Sequence, residues 1–308
     1  MRYFVGVTDG DWFELLSSLP GIDEVNFWQP SGSSHFRALS PGELFLFKLH
    51  SPHNFIVGGG FFAHMTLLPV SLAWEAFGQN NGATTLDEMR RRIEKYRDGR
   101  SDPLADYQIG CILLEQPFFL PRQTWVPIPA SWKPNIVRGK GYDSSDEEGL
   151  ALWRAVEARL PFGRTLTVPT ARPDEARLGE PVLVRPRLGQ GSFRVLVTDA
   201  YQRRCAVTGE RTLPVLQAAH IKPFSMGGQH DLTNGLLLRS DLHLLFDKGY
   251  LTVTPELRLE VSRRIREEFE NGRGYYALHG SRVSSPTRPW QPPATEVLRW
   301  HNEEVFRG

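Results

Sequence analysis

The sequence predicts an α+β protein with a β-rich N-terminal domain, a connector carrying one helix, and a C-terminal domain built on a strand, strand, helix unit. Three observations predict it. Over residues 1–140, short apolar runs alternate with Gly, Pro and Ser clusters, as strands bounded by turns do. Over 141–184 the chain is mostly rich in Pro, Gly and charge, which suits a partly ordered linker. Over 185–308, two short apolar segments lie close together, and apolar residues at helical spacing follow the second. At 308 residues the chain exceeds the usual size of one core, so two domains and a linker are the expectation.

In order along the chain, residues 3–7 read as a strand and 10–19 as a helix with Asp11 as its cap. Strands are expected at 43–49, 55–62 and 109–119, where bulky apolar residues run between turn formers. Residues 85–96 open T-L-D-E, a capping-box pattern, and read as a second helix. In the connector, residues 147–159 put Leu150, Trp153 and Val156 on one helical side and stop at Pro161. Residues 192–201 form a helix with Phe193, Leu196 and Val197 as its apolar face, and 262–269 a short helix or extended arm. A last helix is expected at 295–306, packing Val297, Leu298 and Val305. There is no internal repeat.

Composition excludes some classes of protein. With 40% hydrophobic and 23% charged residues, no apolar run is long enough to span a membrane. Acidic residues follow soon after the first apolar patch and there is no secretory core segment, so a cytoplasmic address is the expectation. Two cysteines cannot build a disulfide framework, which agrees with a reducing compartment. The net charge of +1 is low for a DNA-binding protein, but distribution matters more than the sum. Arg185, Arg187, Arg194, Arg203, Arg204 and Arg211 cluster with only Asp199 and Glu210 opposing them, a candidate phosphate-tracking surface. A short Arg cluster by itself is more often a solvated face.

The most informative stretch is 216–249, L-Q-A-A-H-I-K-P-F-S-M-G-G-Q-H-D-L-T-N-G-L-L-L-R-S-D-L-H-L-L-F-D-K-G. His220 ends a short apolar segment, Asn234 sits in a turn before L-L-L, and His243 lies on a helix that carries Leu242, Leu245 and Phe246 inward. A neutral imidazole can take a proton from water near neutral pH, and a second one can ligate a cation. This stretch resembles the HNH nuclease motif. The resemblance implies a ββα-metal unit over about 205–259, in which His220 activates water and His243 helps hold a divalent cation against the scissile phosphate. Asn234 would position the turn or lend its carbonyl oxygen to the cation. Many such proteins carry an acidic residue or a second His just before the first His, where this chain has Ala219. Asp241 and Asp247 flank His243 and are the nearby oxygen donors; helical spacing puts Asp241 off the His243 face, and both remain open. Imidazole with oxygen donors suits Mg2+ and tolerates Mn2+, Co2+ or Ni2+. Cys205 stands where many relatives begin a C-x-x-C pair, but Thr208 replaces the second cysteine, so no structural zinc is expected and Cys205 reads as a packing residue.

Residues 27–60 place an aromatic-bearing loop, W-Q-P-S-G-S-S-H, before P-G-E, an apolar strand, and a strand ending I-V-G-G-G. This layout resembles the EVE domains of the PUA superfamily, small β-barrels whose pocket takes in a nucleobase. The resemblance makes Trp28, Ser31, Ser34 and His35 the candidate pocket residues, with Trp74 a second wall. Any single Trp is more often a core residue, and Trp74 in S-L-A-W-E-A-F fits the buried side of a helix. Joined in this order, the two halves resemble modification-dependent, type IV-like restriction endonucleases, which implies double-stranded DNA carrying 5-methyl- or 5-hydroxymethylcytosine as partner, with the base flipped into the N-terminal domain. Cutting both strands calls for a homodimer or two binding events. Two other readings stand beside this one: an HNH nuclease of other purpose with a docking N-terminal domain, and a module that binds nucleic acid without cutting.

Overall fold

The computed structural model describes residues 1–33, 36–97, 105–160, 188–286 and 289–308. The chain divides into two compact units, Met1–Pro186 and Arg187–Gly308. Among the described residues no helix is long and apolar enough to cross a membrane.

The first unit contains β1 (Arg2–Thr8), α1 (Gly10–Ser18), β2 (Glu24–Gln29), β3 (Leu44–Leu49), β4 (Phe55–Pro69), α2 (Val70–Phe77), α3 (Leu86–Glu94), β5 (Gln108–Phe119), β6 (Val126–Pro127), β7 (Gly139–Asp143) and α4 (Glu147–Glu157). The strands make one sheet in the order β2-β5-β4-β3-β1-β7, with β6 on β4. Only β1 and β3 pair in parallel. Among the described residues β2 and β7 do not pair with each other, so the expected barrel is an open sheet.

The L-F-L-F-K-L run of β3 is continuous because both its faces are covered. Phe45, Phe47 and Leu49 pack with Trp12, Phe13 and Leu16 of α1, while Leu44 and Leu46 pack with Leu152 and Val156 of α4. Each such side chain contributes roughly 1.5–3 kcal/mol by leaving water. The stretch expected to begin a linker at 141 therefore starts as part of this domain: β7 pairs with β1, and Tyr142, Leu152 and Val156 are buried. Residues 161–184 of that expected linker lie outside the described residues; α4 stands where a helix is expected, but its buried side carries Leu152 and Val156 rather than Leu150, Trp153 and Val156.

The second unit contains α5 (Gln190–Ala200), β8 (Leu216–His220), β9 (Gly235–Arg239), α6 (Ser240–Asp247), β10 (Leu251–Val253), β11 (Leu259–Val261), α7 (Arg264–Phe269), α8 (Arg273–Tyr276) and α9 (Thr295–Glu304). A single core joins Phe193 and Val197 of α5, Leu236 to Leu238 of β9, Leu242 and Phe246 of α6, and Leu298 of α9. Cys205 is buried and free, its sulfur accepting from the backbone N–H groups of Thr208 and Arg239 at 3.5 and 3.4 Å. It is a packing and turn-closing residue.

Candidate functional site

The antiparallel pair β8 and β9 places His220 opposite Gly235. A Cβ at Gly235 would stand 2.6 Å from Val197 Cγ2 and 3.2 Å from the Phe193 ring, so only glycine lets α5 approach this closely. That approach fixes the His220 ring, which stacks on Phe193 with centroids 3.8 Å apart and planes at 12°. His220 Nε2 shares a 2.9 Å hydrogen bond with His230 Nδ1, and the His230 ring stacks on Phe224. Burial, with His230 and His243 nearby, pushes the His220 imidazole down to about 4, so it is neutral at neutral pH.

The loop between the two strands is closed by Asn234. Its Oδ1 accepts from Lys222 N at 2.8 Å, and its Nδ2 donates to Lys222 O at 2.8 Å and Gln229 O at 2.9 Å. The side chain is buried and its three contacts all lie within the loop. Its role is to shape the turn.

His243 lies on α6 with Nδ1 2.8 Å from Gln217 Oε1 and Nε2 3.3 Å from Asp247 Oδ2. Burial lowers the His243 pKa, against the opposing effect of Asp247, and burial raises that of Asp247. Asp241 is turned away: both its oxygens bind Arg239, at 2.6 and 2.8 Å, and Tyr275 also donates to it. Asp247, four residues on, is thus the carboxylate that reaches His243, whereas Asp241 is engaged by Arg239. Among the described residues no three metal-ligating side chains come together.

Of the arginines, Arg194 is exposed on α5 and close enough to lower the pKa of His243, and Arg204 is exposed. Arg203 pairs with Asp199 at 3.3 Å. Arg185 and Arg187 lie outside the described residues.

The first unit holds a cavity of about 450 Å³ lined by Trp12, Phe27, Trp28, Ser31, His50 and Tyr96, among others, with Asp9 and Gln29 as polar walls. Trp28 at the end of β2 donates its indole N–H to Asn81 O at 3.0 Å. Tyr96 donates to Asp9 Oδ1 at 2.5 Å, His50 Nε2 lies 3.6 Å from the same oxygen, and the His50 and Tyr96 rings stack. Trp28 and Ser31 are therefore brought together, whereas Trp74, half-buried on α2, is not part of the lining. Ser34 and His35 lie outside the described residues.

Residues 205–254 match the family described as HNH endonuclease. The second unit carries an HNH endonuclease domain. No curated protein matches the chain. Similar solved structures include an ASCH protein from Zymomonas mobilis, with TM-score 0.35 and 9% identity over 48% of this chain and 93% of that one. A modification-dependent restriction endonuclease, TagI, gives TM-score 0.29 and 15% identity over 98% of this chain and 81% of that one. ScoMcrA, a Type IV phosphorothioation-dependent restriction endonuclease, gives TM-score 0.20 and 13% identity over 78% and 51%. All three TM-scores lie below 0.5.

Within the HNH domain, the donor pair that fits a cation is His243 Nε2 with Asp247 Oδ2, an imidazole and a carboxylate 3.3 Å apart on one helix face. Sequence reasoning missed His230 and Gln217. The signal for Gln217 was its place two residues into β8, facing α6; for His230 it was a third histidine inside the motif. In the first unit it missed Asp9, His50 and Tyr96, which come from separate elements.

Proposed function

We propose that this protein is a metal-dependent DNA endonuclease that tests a base with its N-terminal unit and hydrolyses a phosphodiester bond with its HNH domain. The observation that carries this is the ββα arrangement, in which His220, stacked on Phe193, shares one unit with the His243–Asp247 pair on α6. His220 is neutral at neutral pH and can accept a proton from the attacking water. His243 and Asp247 would hold a divalent cation, with remaining positions left to water and phosphate oxygens, as Mg2+ prefers; the imidazole would equally suit Mn2+, Co2+ or Ni2+. When bound, such a cation stabilises negative charge on the phosphate and leaving oxygen. Arg194 and Arg204 supply phosphate contacts to double-stranded DNA.

The substrate feature is modified cytosine, 5-methyl or 5-hydroxymethyl, flipped from the duplex into the cavity beside Trp28. Aromatic walls suit the faces of a base. The Asp9 carboxylate is an acceptor of the kind that takes the exocyclic amine of cytosine. Each HNH domain would cut one strand, so duplex cleavage proceeds through a homodimer or two binding events.

A second reading is a module that binds nucleic acid without cutting. It is favoured by Ala219, buried where many relatives carry a further ligand, and by the absence of a three-ligand cluster among the described residues. One experiment separates the readings. Plasmids with and without modified cytosine are incubated with the protein, with and without Mg2+ or Mn2+. Cleavage of the modified plasmid alone, only with cation, is expected, and His220→Ala should slow it by roughly 10²–10⁴-fold while DNA binding persists. Equal cutting of both plasmids would make this an HNH nuclease of other purpose, and binding without cutting would favour the second reading.

A further inference from the structure

His220 has two ring nitrogens, and the structure shows which is available. Nε2 is held by His230 Nδ1 at 2.9 Å, while among the described residues no protein group bonds to Nδ1. The ring cannot turn freely, because Phe193 covers its face at 3.8 Å. His230 is itself held in place. It stacks on Phe224, with centroids 4.9 Å apart and planes at 7°, and it follows Gln229, whose carbonyl accepts from Asn234. Gly228 packs so close to Lys222 O that a Cβ there would stand 1.9 Å away, which keeps this end of the loop folded back on its start. Two imidazoles joined nitrogen to nitrogen are a relay, since a proton gained on one side of the first can be matched by a proton lost from its other side.

Resting on the nuclease reading above, we infer that His230 is a positioning residue that receives a proton from His220 during phosphodiester hydrolysis. In the resting site, His220 carries its proton on Nε2 and donates it to the Nδ1 lone pair of His230. As the water oxygen bonds to phosphorus, a water O–H bond breaks and its proton joins His220 Nδ1. The Nε2–H bond of His220 breaks in turn, and that proton joins His230 Nδ1. The phosphorus to leaving-oxygen bond breaks, and the leaving oxygen takes its proton from solvent. His220 ends neutral with the proton on the other nitrogen, and the positive charge rests on His230. This explains how a base whose charged form is disfavoured by its buried, stacked setting could still deprotonate water: it need not keep the charge. Release of the His230 proton to solvent and return of His220 to its starting tautomer complete the cycle.

The test uses full-length protein and a plasmid that the wild type cuts. His230→Ala should cut roughly 10²-fold more slowly at unchanged DNA affinity, and free imidazole added to the reaction should restore part of the rate. The acid limb of the pH–rate profile should move in His230→Ala and return towards the wild-type position with imidazole. In the wild type at pH 7, ¹⁵N shifts of the histidine rings should show His220 protonated on Nε2. A His230→Ala enzyme with wild-type rate overturns the inference, as does a slow one that imidazole does not restore and whose pH profile is unmoved. So does an Nδ1-protonated His220. A wild type that cuts no plasmid overturns the nuclease reading and the relay together, whereas a cutting wild type with a fully active His230→Ala variant overturns the relay alone.

Discussion

Trp28 commits its indole N–H to Asn81 O, so what it can offer a ligand in the cavity is apolar ring. Replacing it with Ala should cost about 1–3 kcal/mol of stacking, read as weaker binding of DNA with modified cytosine, while unmodified DNA, held by charge, is bound nearly as before. Titration of both duplexes at one salt concentration checks this, and an equal loss for both would remove Trp28 from base reading. Trp28 was legible because it opens the aromatic-bearing loop W-Q-P-S-G-S-S-H ahead of P-G-E. Its companions were not, since Asp9, His50 and Tyr96 lie far apart in sequence and meet only when β1, β3 and α3 fold together. The HNH residues show the opposite case. His220 and His243 could be read because the ββα unit is local, whereas Asp241 and Asp247 could be separated only by helical periodicity: a residue four positions on shares the face, and one two positions back does not.

At the scale of elements, apolar spacing located α1, α3, α5 and α9 to within about two residues, but the expected cap Asp11 lies in the first turn of α1 and Asp9 holds the N-cap position. In α3, Thr85 accepts from Glu88 N at 3.2 Å, while the Glu88 carboxylate reaches back one residue further, to Thr84 N, than the usual capping box does. Strand β2 escaped because E-V-N-F-W-Q reads as half polar, yet Glu24 and Asn26 are both buried. Asn26 donates to Asn81 Oδ1, and Glu24 lies in register with Glu115, whose carboxyl is pushed up to about 9 by burial and then by Glu24. A protonated acid in a core leaves no trace in an apolar pattern. Helix α9 is anchored by another buried polar group. His301 is 2% exposed, accepts from Thr252 Oγ at Nδ1, donates from Nε2 to Phe246 O, and stacks on Phe246. Burial pushes its pKa down to about 4, against an unfolded value near 6.5. The folded state therefore resists protonation there, so stability present above pH 6.5 is lost as pH falls towards 4, by about 3 kcal/mol from this residue. Urea unfolding from pH 7 to 4.5 should show that slope in the wild type and a shallower one in His301→Gln. Equal slopes would mean that His301 titrates normally in the fold.

Among the described residues each of the two units has its own core. Apolar burial is the main source of stability, so each unit is expected to fold without the other. Fragments ending at 160 and beginning at 188 keep every element described on either side. Each should unfold in one cooperative transition. The first fragment contains Trp28, Asp9 and the rest of the cavity lining, and should bind modified over unmodified duplex with little dependence on divalent cation. The second contains His220, His243, Asp247, Arg194 and Arg204, and should cut both duplexes with cation, more slowly than the full chain cuts modified DNA, because it has lost the contact that holds it at a target. Its binding should weaken steeply with salt, as phosphate contacts require. If the second fragment alone still prefers modified DNA, base reading belongs to the HNH unit, and the N-terminal cavity must serve another ligand.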